Sequence, residues 1–171
     1  MLAILAALAV QIADAGLPKQ SHSLEVTPSC SSPEQRQFDF WLGDWDVKDT
    51  ATGKRAGHNL VTTILGGCAV QEHWIGVEGS KGTSLNAYVA GDRRWHQTWV
   101  DNQGGLLQLS GVFREGRMTL SGTRTTKAGK SVTDRIVWTS LNNGTVRQVW
   151  ESSTDDGRSW RTVFDGTYVK H

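Results

Sequence analysis

From Phe38 to the C-terminus, short runs of Val, Ile, Leu, Thr, Trp and Tyr alternate with turn signals at even spacing, and this punctuation constrains the fold more than any other feature. The separators TATGK, EGSKG, GD, NQGG, EG, KAGK, NNG and DDGRS contain Gly, Asn or Asp, the residues that tolerate the positive φ of hairpin turns. Ten strands are predicted between them: Asp44 to Lys48, His58 to Ile64, Ala69 to Val77, Thr83 to Val89, Trp95 to Asp101, Leu106 to Arg114, Arg117 to Thr125, Ser131 to Ser140, Val146 to Ser153 and Arg161 to Val169. No segment shows a helical period of useful length. Hairpin-linked neighbours make an antiparallel meander, and a sheet of this width has exposed edges unless it closes on itself. The expected fold is therefore all-β, an antiparallel up-and-down β-barrel of about ten strands whose interior is either filled or ligand-holding.

The N-terminal segment has a different character. Residues 1–15, MLAILAALAVQIADA, form an apolar run that closes on Ala13-Asp14-Ala15, the small-x-small pattern of a signal-peptidase site. The run is too short for a membrane anchor, which needs roughly 20 apolar residues. It predicts export to the periplasm or outside the cell. No Lys or Arg precedes the apolar core, which leaves open an apolar N-terminal helix or a start upstream of Met1. Residues 16–37 are rich in Ser, Pro, Gln and Lys and read as a solvated arm that becomes ordered near Cys30. Removing residues 1–15 leaves 171 − 15 = 156 residues, enough for one domain with a real core, at 38–171.

Charge and cysteine content narrow the partners. The 18 basic and 17 acidic residues nearly cancel and are scattered, which argues against a nucleic-acid footprint and against a polybasic membrane patch. No later segment is apolar enough to serve as an integral membrane segment of the mature chain. In an oxidising compartment Cys30 and Cys68 read as a disulfide tying the arm to the domain; without export they read as two buried thiols.

The opening FDFWLGDWDV gathers Phe38, Phe40, Trp41 and Trp45 around Gly43. A Gly two residues before a Trp at the mouth of the first strand lets the backbone turn sharply while the indole plugs the barrel floor, and Gly43 and Trp45 are assigned that role. Here the chain resembles the calycin barrels, the lipocalins, fatty-acid-binding proteins and nitrobindins, in which a Gly-x-Trp opens strand one. The longer series RQFDFWLGDWDV, LGGCAVQEHW, GTSLNAY, RWHQTWVD, VRQVWESSTDDGRSW and VFDGTYVK resembles a family of uncharacterised exported bacterial proteins with a lipocalin-like β-barrel. That resemblance covers roughly residues 30–170 and implies the ten-strand barrel, but no reaction and no ligand. It also implies the disulfide, because the cysteine pair recurs in that family as a unit.

Period-two alternation then selects candidate interior residues. In RRWHQTWVDNQGG, one face of an extended strand carries Trp95, Gln97, Trp99 and Asp101. Val70, Glu72 and Trp74 share a face, as do Asp134, Ile136 and Trp138, and as do Val146, Gln148, Trp150 and Ser152. Each indole buries about 150 to 250 Å² and belongs inside. The expected cavity then has Trp74, Trp99, Trp138 and Trp150 as walls and Glu72, Gln97, Asp101 and Gln148 as polar groups, suited to a small hydrophobic or aromatic molecule. The bland alternative is a filled core in which these polar groups bond one another, leaving an interaction module that works through its outer face.

Catalysis has Glu72 as its first candidate and Asp101 as its second, since a carboxyl in an aromatic pocket could serve as general acid or base of an isomerase, cyclase or hydrolase. No Ser/His/Asp order, Cys/His pair or phosphate-cradling glycine run accompanies it, so the enzyme reading stands second. The histidines His58, His73, His96 and His171 match no metal-ligand spacing, and no metal site is predicted. Haem is the sharper case, since nitrobindin-like barrels hold iron through a late histidine. Only His171 lies late, and a chain terminus is a poor axial ligand. Finally, Ser153, Asp155, Gly157, Ser159 and Trp160 match a single Asp-box, read as a structural hairpin turn.

Overall fold

All ten predicted strands form, and they close. The computed structural model describes residues 30–171, so the predicted signal peptide and residues 16–29 of the arm lie outside the described residues. The strands are β1 (Gly43–Asp49), β2 (Arg55–Ile64), β3 (Ala69–Gly76), β4 (Lys81–Val89), β5 (Arg94–Asp101), β6 (Leu106–Arg114), β7 (Arg117–Thr125), β8 (Ser131–Ser140), β9 (Val146–Ser153) and β10 (Arg161–Lys170). Every strand pairs antiparallel with its sequence neighbours, and β1 pairs with β10 to close an up-and-down barrel. This is the predicted antiparallel up-and-down barrel of ten strands.

Closure follows from the alternation. Along β8, Val132, Asp134, Ile136 and Trp138 are buried while the residues between them face outward. A one-residue slip would turn all four into water, so the burial pattern pins the register. The hairpin turns use the expected residues: Gly144 has φ 78° beside Asn143, whose side-chain oxygen accepts from the Thr145 amide at 3.2 Å. The Asp-box turn is closed by its own side chains. Asp155 accepts from the Ser159 amide at 2.9 Å and hydroxyl at 2.6 Å, Ser153 Oγ accepts from the Gly157 amide at 2.8 Å, and Trp160 Nε1 donates to the Gly157 carbonyl at 3.0 Å. The Ser159 hydroxyl and amide and the Ser153 hydroxyl bring the Asp155 carboxyl down to about 2.

The chain enters at the end of the barrel where β1 begins, and that end is packed shut. Short helical turns at Glu34–Arg36 and Asp39–Trp41 lead into β1, and Phe38 and Trp41 are completely buried. Phe38 stacks on Trp41 at 4.8 Å between ring centroids and meets Trp95 and Trp138 edge-on at 5.5 and 5.2 Å. Trp45 seals the same floor: it is 1% exposed, and its Nε1 donates to the Trp41 carbonyl at 2.9 Å. Gly43 precedes it with φ 148°, a backbone state that disfavours side chains. Lys170 closes this corner, its Nζ 3.8 Å above the Trp45 ring and 2.8 Å from the Leu42 carbonyl. The arm is fastened here by a Cys30–Cys68 disulfide, the pairing that the family resemblance implied.

The opposite rim is formed by the turns after β1, β3, β5, β7 and β9. Near that rim one ladder is incomplete. β6 pairs with β7 only from Ser110 to Arg114, so the rim-side halves of these two strands do not continue the ladder. No described helix is long and apolar enough to cross a membrane.

Candidate functional site

Above the aromatic floor the barrel interior is open. A cavity of about 460 Å³ reaches from the floor to the rim, within the size range of small-molecule sites. Trp74 of β3, Trp99 of β5, Trp150 of β9 and Phe164 of β10 wall it, with Leu107 and Ile136 between them and Trp138 beneath. Glu72, Gln97, Gln148 and Tyr168 supply its polar surface, and Arg55, Glu78 and Ser80 stand at the mouth.

Sheet glycines give the indoles their places. A Cβ on Gly82 would lie 2.2 Å from the Trp99 ring, and one on Gly57 would lie 2.5 Å from the Trp74 ring. Each bare backbone therefore lets an indole lie against the wall instead of filling the lumen. Trp74 also meets Phe164 edge-on at 5.9 Å, which fixes the ring opposite the β2 wall.

The polar groups form one connected belt around the barrel. Gln97 Nε2 donates to Asn86 Oδ1 at 2.8 Å, Asn86 Nδ2 donates to Ser84 Oγ at 2.9 Å, and Ser84 Oγ donates to Glu72 Oε2 at 2.7 Å. From the other side, Asn59 Nδ2 donates to Glu72 Oε1 at 2.7 Å and reaches the Tyr168 hydroxyl at 3.4 Å, while Tyr168 donates to Gln148 Oε1. The belt joins β5, β4, β3, β2, β10 and β9 in that order. It fixes each terminal amide through one of its two ends. Gln97 Oε1 and Gln148 Nε2, the other ends, make no hydrogen bond among the described residues, so an acceptor and a donor stand on nearly opposite walls.

Glu72 sits at the centre of the belt, 5% exposed. Burial pushes its carboxyl from 4.5 to about 7, and the bonds from Ser84 and Asn59 offset only part of that rise. Burial likewise pushes the Tyr168 phenol up, and the Glu72 charge adds to it. A second carboxyl is buried in the barrel, Asp134 on β8. It accepts from Trp150 Nε1 at 2.8 Å and from the Ser152 hydroxyl, and the Arg124 Nε lies 2.7 Å away. Asp134 therefore holds a cavity wall, Trp150, in place.

Seven of the eight interior residues predicted from the sequence line the cavity: Glu72, Trp74, Gln97, Trp99, Trp138, Gln148 and Trp150. Two details are corrected. Trp138 is the floor and not a wall, because Phe38 and Trp41 pack against it from below and leave it 1% exposed. Asp101 is not among the residues lining the cavity; it ends β5, its Oδ1 accepts from the turn amides of Gln103 and Gly105 at 2.9 and 2.8 Å, and its Oδ2 accepts from Nε1 of the wall residue Trp99 at 3.4 Å. The face of β5 thus passes through three environments, from the packed floor at Trp95, past the cavity at Gln97 and Trp99, to the rim turn at Asp101.

Residues missed in the sequence are Asn59, Ser84, Asn86 and Tyr168, all buried, together with Phe164; the alternation puts Asp134 on the inward face of β8 but gives it no role. Their strand parity was readable, but which strands they face was not. The described histidines lie away from the lumen: His96 bonds Asp92 at 2.7 Å, His58 pairs with Asp44 at 2.5 Å, and His171 pairs with Asp46 at 3.0 Å. No three His, Cys, Asp or Glu side chains among the described residues converge as a metal-binding group. No protein-family model matches the chain, and no curated protein is significantly similar to it.

Proposed function

We propose that the protein is an exported barrel that binds a small hydrophobic or aromatic molecule in its indole-lined cavity. The observation that carries this reading is the contrast between the two halves of one interior. The floor half is packed with rings in contact, whereas the rim half keeps Trp74, Trp99 and Trp150 against the walls of an open lumen. A barrel selected only for stability gains by filling that space, since dispersion contacts are lost around a void. Export is supported by the apolar N-terminal run and by the disulfide, which persists in oxidising compartments.

A ring that buries about 200 Å² of apolar surface gains about 5 kcal/mol before the cost of association is subtracted. Useful affinity therefore depends on polar contacts, which Gln97 Oε1 and Gln148 Nε2 offer. Gln97→Ala is expected to weaken ligand binding about tenfold while costing the fold about 1 kcal/mol for the lost bond to Asn86. Native mass spectrometry and tryptophan emission, recorded on protein purified from its source before and after organic extraction, test the reading. A co-purifying molecule whose removal shifts the emission supports it. A clean mass, with emission indifferent to lipids, aromatics and haem, refutes it.

Two other readings each draw on an observation. Glu72, titrating near neutrality inside the cavity, suits a general acid or base acting on the bound molecule, and turnover surviving Glu72→Gln removes that reading. An interaction module draws instead on the exposed Leu60, Ile75, Leu85, Val100 and Leu106 of the outer wall of β2 to β6.

A further inference from the structure

The two carboxyl groups buried in this barrel are treated differently. Asp134 has the Arg124 guanidinium 2.7 Å away, an ion pair that compensates its burial. Glu72 has only neutral donors, Asn59 and Ser84, each on one oxygen. A carboxylate offers about four lone-pair sites, so two bonds leave it half satisfied. An unpaired charge at this depth is costly unless it takes a proton or meets a cation. Unlike Asp134, Glu72 also lines the cavity, beneath Trp74, Trp99, Trp150 and Phe164. Aromatic faces attract organic cations, most strongly when both are out of water.

We infer that the cavity selects an organic ammonium ion, seating its charged end against Glu72 and its apolar body among the three indoles. This inference rests on the cavity being a ligand site and names the class of ligand it takes. The charged groups around Glu72 agree with the selection. On the neighbouring strands it faces Asn59 and Tyr168, through β2 and β10, and Ser84 on β4; across the lumen stand Gln97 and Gln148. None of these carries a charge near neutral pH. At the mouth Arg55 and Glu78 offset one another, and Arg55 is already turned towards Asp46 at 3.4 Å. The lumen thus presents one acidic group and no cation below its mouth, which disfavours a carboxylate ligand such as a fatty acid.

Proton linkage supplies a signature that simple hydrophobic binding lacks. Glu72 titrates near 7, so below that pH it must release a proton to receive an ammonium ion. The affinity for the ammonium should then rise about tenfold per pH unit below neutrality and level off above it. At pH 6, binding should release close to one proton, measured by calorimetry in two buffers of different ionisation enthalpy.

The test uses three probes of one shape: 2-phenylethylamine, 2-phenylethanol and 3-phenylpropionate, titrated at pH 8 into the wild-type protein with tryptophan emission and calorimetry as readouts. The expected order is ammonium, then alcohol, then carboxylate, with the amine bound at least about tenfold more tightly than the alcohol. Glu72→Gln should retain the alcohol affinity and abolish the preference for the amine. Equal binding of all three, tighter binding of the carboxylate, or amine binding without proton release at pH 6 overturns the inference and leaves the cavity reading standing. Binding of none of the three overturns both.

Discussion

Trp45→Ala is expected to remove about 3 to 5 kcal/mol of stability and to lower the melting temperature by about 10 °C. The indole is 1% exposed, so the substitution opens a hole at the floor instead of trimming a surface. Three attachments are lost with it. The Trp41 carbonyl loses its 2.9 Å donor, the Lys170 ammonium loses the ring face 3.8 Å below it, and Tyr168 loses the edge contact at 6.2 Å. The last of these reaches the polar belt, because Tyr168 joins Asn59 to Gln148. Trp160→Ala is the control. Trp160 packs on an exposed hairpin, with the Arg135 guanidinium 4.1 Å from its ring, and its removal should cost about 1 kcal/mol or less. Urea unfolding of both variants decides the matter: similar losses would mean that Trp45 is not the plug.

The strands were legible because period-two alternation and turn residues are local signals. β6 to β9 were read from the sequence with their observed ends, and closure followed from edges that had nowhere else to pair. The candidate site was legible to the extent that it consists of indoles. Trp74, Trp99 and Trp150 announced their faces, and Glu72, Gln97 and Gln148 followed by parity. What parity cannot supply is height in the barrel. Trp138 and Trp150 look alike in sequence, yet one lies on the floor under Phe38 and the other on a wall, because β8 and β9 present them at different levels. Asp101 was misplaced for the same reason, two residues beyond Trp99 and already at the rim.

The belt was illegible for a further reason. Asn59 and Ser84 are small polar residues that a sequence reading assigns to turns or exposed strand positions. Their role exists only through register: Glu72 lies between Val61 of β2 and Ser84 of β4, which brings Ser84 directly beside it and Asn59 one pleat away on the same face. Each partner is ordinary alone. Together they form a polar ring inside an aromatic barrel, and the ring keeps the buried carboxyl hydrogen-bonded without giving it a countercharge.

That missing countercharge sets the second large effect. At pH 8, Glu72→Gln is expected to be more stable than the wild type by about 3 kcal/mol, and near pH 4.5 the two should be nearly equal. Burial raises the folded Glu72 carboxyl from 4.5 to about 7, so between those values the folded state binds more protons than the unfolded state. Its contribution is then fully present below about pH 4.5 and lost as pH rises through about 7. The neutral acid has a place for its proton, since Asn59 Oδ1 is buried without a partner and a turn of that amide offers it as acceptor. A glutamine mimics this neutral form: its carbonyl keeps an acceptor for the Ser84 hydroxyl, and its amide supplies a donor to the turned Asn59. His171 acts in the same direction, because Asp46 raises its pKa, but it is exposed in both proteins and cancels in the comparison. Asp155, held down to about 2, titrates outside the window. Chemical unfolding of both proteins at pH 4.5, 6, 7 and 8 measures the difference directly. A gap that widens with pH and levels off above 7 places the proton on Glu72, whereas a gap independent of pH would show that its carboxyl is already ionised throughout the range.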